Sequence, residues 1–317
     1  MTGIQIRPAT ADDIPACARI WRESINDYTD RLNQPQIPDD LGRIIRLHQH
    51  LFSTDPERFV VAVDTTGSSE PGLIAGFAAA VMRERLWYLS MCFVRPGAQR
   101  HGLGRRLVEA ILPPVPDEAI LATATDSAQP ISIGLYGRFG IVPRLPLLSM
   151  AGYVTNPETL PNLPPGLTAV PFETIVAGAP EGAGHRELGV AVGALDRELL
   201  GVEHPQDHRF MRIEGRHGFL YRDRDGLVHG YGYAWETGRL GPVAVRDEAL
   251  MGPVLAHLLG AVQARGAQAV WVPGAAGEAV TTLLRAGLRF EDFPILLGWT
   301  RPFADFARYL PISPGLL

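Results

Sequence analysis

Residues 99–104 read Gln-Arg-His-Gly-Leu-Gly, and Arg105 and Arg106 follow directly. Two glycines and three arginines (Arg100, Arg105 and Arg106) thus join two apolar runs. The first run, Leu86 to Val94, reads as a buried strand that Arg95-Pro96-Gly97 ends, because proline cannot donate to a ladder. In the second, Leu103, Leu107, Ala110 and Ile111 fall on one face of a helix. The stretch is therefore a strand-to-helix turn plus the first helical turn. The first N–H groups of a helix lack partners within it, and the helix dipole is positive there. Glycines let an anion approach that backbone, so the site suits a pyrophosphate. Arg100, His101, Arg105 and Arg106 add positive potential. A P-loop would need Gly-Lys-Ser/Thr, and the chain has no lysine: all 29 Lys+Arg cations are arginine. A dinucleotide loop would need a third glycine where Leu107 stands, after a first parallel strand rather than a hairpin.

The elements that position this loop come from a chain of 317 residues, enough for two domains. It is 46% hydrophobic and 20% charged, a globular balance, and its net charge of −5 argues against nucleic-acid or membrane-surface binding. The two cysteines, Cys17 and Cys92, form no CxxC pair and suggest neither zinc knuckle nor disulfide framework. The opening MTGIQIRPATADD has no secretory apolar stretch, and no apolar run is long enough for a bilayer, so a cytoplasmic location is expected.

The chain reads as a repeat. Val154 to Pro171, rich in proline, looks like an extended linker, with the boundary at 154–165. Before it lie a first strand, a helix with Thr10 and Asp13 as a capping pair, apolar strands, a helix, a strand and a second helix. After it the order recurs, and Gly72-Leu73-Ile74-Ala75-Gly76 matches Gly226-Leu227-Val228-His229-Gly230 in pattern. Asp225-Gly226 is a tight-turn pair.

With its surroundings, the loop resembles the Q/R-x-x-G-x-G/A segment of the GCN5-related N-acetyltransferase (GNAT) superfamily. Gln99, Gly102 and Gly104 match it, after Val94-x-Pro96. A second family element, L-Y-x-R-x-G-F, is matched by Leu135-Tyr136-Gly137-Arg138-Phe139-Gly140, with Ile141 as the departure. The resemblance covers residues 1–153. It implies an α/β (α+β) chain of two tandem GNAT-like domains, each a mixed, mainly antiparallel sheet flanked by helices: 1–153 catalytic, 166–317 a degenerate copy. It implies acetyl-CoA as cosubstrate, without a metal, with Gln99, Arg100, His101, Gly102, Leu103, Gly104 and Arg105 around its diphosphate. Cys92, Phe93 and Val94 would offer backbone groups to the pantetheine and the acetyl carbonyl. Tyr136 would protonate the leaving thiolate. The family's usual glutamate is replaced by Tyr88. Glu84 is the nearest carboxylate and the candidate base, against its reading as a solvated turn residue. Trp87, Tyr88 and Tyr28 hint at an aromatic acceptor pocket, although core packing explains the first two equally well.

The expected activity is direct acetyl transfer to a primary amine, on a small molecule rather than a protein. No nucleic-acid or membrane partner is expected, and homodimerisation is left open. A non-catalytic CoA-binding sensing module is the alternative. In the second half, Pro253 falls where amides should face phosphate, and a leucine replaces Tyr136, so no coenzyme is expected there. Glu203-His204-Pro205-Gln206-Asp207-His208 has an H-x-x-x-H spacing, but Pro205 interrupts it and no third ligand is evident, so it reads as a surface loop. His48 and His50 sit on an expected second helix, where packing or acceptor-cleft lining is expected.

Overall fold

The structure, a computed structural model, describes residues 3–65, 72–112, 118–179 and 182–317. Its elements in the first half are β1 (Ile4–Pro8), α1 (Ile14–Arg31), α2 (Gly42–Thr54), β2 (Phe59–Asp64), β3 (Ile74–Arg83), β4 (Leu86–Val94), α3 (Leu103–Ile111), β5 (Ile120–Asp126), α4 (Pro130–Gly137) and β6 (Val142–Gly152). There follow β7 (Thr168–Pro171), α5 (Phe172–Ala177), α6 (Ala183–Leu199), α7 (Pro205–Ile213), β8 (His217–Arg222), β9 (Val228–Ala234), β10 (Leu240–Val245), α8 (Met251–Ala261), β11 (Gln268–Pro273), α9 (Gly277–Ala286), β12 (Arg289–Trp299) and β13 (Tyr309–Leu310). No helix among the described residues is long and apolar enough to cross a membrane.

Compactness divides the chain into Met1–Thr123 with Gly134–Phe139, and Ala124–Ile133 with Gly140–Leu317. In the first unit β1, β2, β3 and β4 pair in antiparallel succession, and β5 joins β4 in parallel. A helix returns the chain from β4 to β5, as a parallel crossover requires. β3 is buried over nearly all its length, Phe77 and Ala78 completely. In α1, Ile14, Cys17, Ala18 and Ile20 are buried. The entry to α1 is held as the Thr10/Asp13 pair suggests: the Thr10 N–H and hydroxyl both donate to Asp13, at 2.7 and 2.9 Å.

The second unit repeats the plan. β7, β8, β9 and β10 are antiparallel neighbours, β13 lies on the outer side of β10, and a parallel bridge links Arg239 to Ala269 of β11. The repeat holds at single residues. A Cβ on Gly76 would come within 2.8 Å of the Phe93 carbonyl, and one on Gly230 within 2.6 Å of the Ala244 carbonyl. Both glycines let the next strand approach closely.

The boundary legible from the repeat is not where compactness divides the chain. β6, from the first half, pairs on one side with β11 and on the other with β12 of the second half. The 154–165 segment is also docked rather than free. The Thr155 N–H donates to the Ala286 carbonyl at 2.9 Å, Asn156 caps the same helix end through Arg285, and Val154, Leu160 and Leu163 pack on the second core. Those contacts satisfy carbonyls at the end of α9 that the helix itself leaves unpaired.

Candidate active site

The chemistry concentrates where β4 runs into α3. β4 pairs with β3 along its length but with β5 only from Leu86 to Leu89. Ala79 faces Met91 and Ala80 faces Leu89, so Ser90 is an extra residue, a bulge in β4. The Thr123 hydroxyl closes the last rung with β5 by donating to the Leu89 carbonyl at 2.8 Å. Beyond the bulge, β3 is the one strand among the described residues that pairs with Met91 to Val94, and one edge of that backbone is released from the ladder with β5.

The turn that follows is held from below. The Val94 carbonyl accepts from the Gln99 side chain at 2.9 Å and from the Ser24 hydroxyl at 3.1 Å. Gln99 thus braces the loop onto the end of β4, and the Val94 carbonyl is already occupied. Arg95 is pinned to the Ile74 carbonyl at 2.8 Å and to Glu23 at 3.0 Å. Arg100 and Gly102 both have left-handed backbone, at φ 68° and 75°. Alternation of right- and left-handed residues turns successive N–H groups toward one point and makes an anion nest.

Gly102 is the N-cap of α3, and no side chain caps the helix. A Cβ there would meet nothing within 4 Å, so no packing inside the protein forbids a side chain. The left-handed backbone favours glycine, and the space above it is open. Leu103, Leu107, Val108 and Ile111 are buried on the inner face of α3. Arg100 and His101 are exposed. Arg105 pairs with Glu109 at 2.7 Å in an exposed ion pair, and Arg106 donates to the Ile4 carbonyl at 3.0 Å. An exposed pair of that kind is weak enough to yield to a phosphate.

Tyr136, on the last turn of α4, is buried and hydrogen-bonded to the Cys92 thiol. The Cys92 sulfur also lies 3.9 Å from the Gly104 carbonyl, and Leu135 lies 3.4 Å from where a Cβ on Gly104 would stand. β4, the start of α3 and the end of α4 therefore meet at one point. Burial raises the Cys92 thiol to about 12, with the Tyr136 hydroxyl pulling it down in part. Such a thiol is protonated at neutral pH and is not a nucleophile. Burial, then proximity to Cys92, raises the Tyr136 phenol well above its ordinary value, so it keeps its proton at neutral pH.

Four expected contributors are not brought here. Glu84 lies in the exposed turn between β3 and β4, at φ 48°. Strand rise puts it roughly 25 Å along β4 from Cys92. Trp87 and Tyr88 are buried to 1% exposure, and the Trp87 indole donates to the Ile111 carbonyl at 3.3 Å. They are core residues, not pocket walls. His48 is buried against Phe59 and Phe77 at 6.0 and 5.2 Å, and burial lowers its pKa to about 3.

The corresponding turn of the second half is built differently. The Asp247 carboxylate accepts from the Ala249 N–H at 3.0 Å and caps a single 3-10 turn, Glu248–Leu250, that leads into α8, and Pro253 removes an amide from the first turn of α8. The Glu203–His208 segment is not a surface loop: His204, Asp207 and His208 are buried, and Pro205 is the first residue of α7, where proline is favoured.

Residues 18–141 match the family model described as Acetyltransferase (GNAT) family. No curated protein matches the sequence. Among solved structures, a candidate acetyltransferase from Pyrococcus horikoshii is similar over 100% of this chain and 97% of its own, with 14% identity and a TM-score of 0.71. A GCN5-related N-acetyltransferase from Sphaerobacter thermophilus is similar over 96% and 98%, with 20% identity and a TM-score of 0.59. A tandem GNAT protein of clavulanic acid biosynthesis is similar over 94% and 99%, with 15% identity and a TM-score of 0.55. At these identities the likeness is one of fold, and it runs through both halves. Residues 18–141 thus match the GNAT family model, and the fold of the whole chain is similar to that of a tandem GNAT protein.

Proposed function

We propose that the chain transfers an acetyl group from acetyl-CoA directly to a primary amine of a small molecule, at one site in its first half. The observation that carries this reading is the uncapped start of α3, open at Gly102, at the end of a strand released from its neighbour. The diphosphate binds the amides from Gly102 to Arg105, with Arg100 and His101 free to follow it. The pantetheine arm extends along Met91 to Phe93, where the strand edge beyond the ladder with β5 can accept and donate as a further strand would; the Val94 carbonyl is already held by Gln99 and Ser24. That places the thioester beside Tyr136. An amine attacks the acetyl carbon, the developing oxyanion is held by a strand N–H, and Tyr136 donates its proton to the departing thiolate. No carboxylate on β4 serves as base, so the ammonium proton leaves to water.

That missing base favours a second reading, a CoA-binding sensing module. Thiol release from acetyl-CoA across polyamines, aminoglycosides, amino acids and short peptides separates the two. Release with a small amine, lost in Tyr136→Phe, supports transfer. Coenzyme binding with no release from any amine supports sensing.

A further inference from the structure

Acyl transfer leaves unused a buried polar cluster in the second half of the chain. Asp196 lies near the end of α6, His204 is the N-cap of α7, and His208 lies one turn into α7. Their exposures are 0, 1 and 6%. Both imidazoles turn Nε2 toward the same carboxylate oxygen: Asp196 Oδ2 is 3.5 Å from His204 and 2.8 Å from His208. The three donor atoms all lie within 4.8 Å of one another, and the rings are 4.4 Å apart.

The far side of each group is also engaged. His208 Nδ1 is 2.9 Å from the Tyr233 hydroxyl, and the Tyr231 hydroxyl donates to Asp196 Oδ1 at 2.5 Å. His204 Nδ1 faces Asp207 Oδ2 at 3.4 Å, yet it is buried without a hydrogen-bond partner. The Tyr309 hydroxyl lies 3.5 Å from His204 Nε2.

We propose that Asp196, His204 and His208 bind a divalent transition-metal ion of the zinc type. Two imidazoles and one carboxylate suit such an ion, whereas magnesium and calcium prefer oxygen alone. Ligand atoms about 2.1 Å from a tetrahedral ion are roughly 3.4 Å apart. The His204–Asp196 separation already fits, and the His208–Asp196 contact opens by roughly 0.6 Å. Metal bonding requires both Nε2 atoms to be unprotonated and so places the imidazole protons on Nδ1. Tyr233 and Asp207 stand at those positions, the outer-shell pattern that fixes ligating histidines. The orphaned His204 Nδ1 thereby gains a use, as donor to Asp207. Tyr309 or a water completes four-fold coordination. The ion would tie the end of α6 to the start of α7.

The test uses the full-length protein, stripped with a chelator and dialysed against Zn(II) or Co(II). The expected result is one ion per chain by elemental analysis, visible d–d absorption with Co(II), and a higher melting temperature that the chelator reverses. His204→Gln and His208→Gln should lose the ion. Asp207→Asn, which leaves all three ligands in place, should weaken binding by about 10- to 100-fold. His257→Gln, outside the cluster, should keep it. Less than about a tenth of an ion per wild-type chain at micromolar free metal would overturn the proposal. So would binding unchanged in both His204→Gln and His208→Gln.

Discussion

Gly102 allows the charge argument to be isolated from shape. Asparagine and aspartate have nearly the same size, both tolerate left-handed backbone, and both cap helices. A Cβ at this position meets no protein atom within 4 Å, and the strain of the left-handed backbone falls on both side chains alike. Gly102→Asn and Gly102→Asp should thus agree in stability within about 0.5 kcal/mol of each other. Their coenzyme affinities should differ. A carboxylate about 6 Å from a phosphoryl charge, at an effective dielectric of about 40, is repelled by roughly 1.4 kcal/mol. A diphosphate carries two such charges, so the penalty is about 3 kcal/mol, or roughly 100-fold in Kd. Calorimetric titration with CoA at low salt measures the gap directly. It should shrink near 1 M salt, where the screening length falls to about 3 Å. Equal affinities for the two variants, with both folded, would refute the placement of the diphosphate.

Other consequences are smaller in scope. Tyr136→Phe should lower kcat by about 10²–10⁴ while leaving the Kd for CoA within a few-fold, read by thiol release and titration. Arg83 and Asp55 form a buried pair at 2.8 Å, so Arg83→Met should cost about 3 kcal/mol in urea unfolding by leaving the buried Asp55 charge to the more distant Arg58, at 3.8 Å. Adding Asp55→Asn should restore part of that. His48 has no hydrogen-bond partner on either ring nitrogen, and its pKa is lowered to about 3. The folded state rejects a proton that the unfolded chain takes up below about pH 6.5, so stability should fall as the pH drops from there toward 3. The slope is about 1.4 kcal/mol per pH unit, or about 2 kcal/mol by pH 5, and His48→Leu should flatten it.

The turn from β4 into α3 was legible because its signal is local. Glycines, a strand-ending proline and a helix start lie within a dozen residues. The repeat was legible for the same reason, down to Gly76 and Gly230. Glu84 illustrates the limit: it is close in sequence to β4, but a strand is extended, and a few residues separate it from Cys92 by the length of the sheet. Trp87 and Tyr88 could not be placed from composition, since an aromatic on a strand packs inward or lines a pocket with equal ease. The pairing of β6 with β11 and β12 is a long-range choice that no motif announces. In the Glu203–His208 segment, Pro205 reads as a breaker until α7 is seen to begin on it. The third group, Asp196, belongs to another helix, and the tyrosines that complete the cluster come from β9 and β13.

Calorimetric titration of the intact chain with CoA tests the central claim most directly, run in parallel on wild type and Gly102→Asp. One coenzyme per wild-type chain, with affinity collapsed in the variant, is the predicted result. A stoichiometry of two, or a wild-type isotherm matched by a folded Gly102→Asp protein, would contradict it.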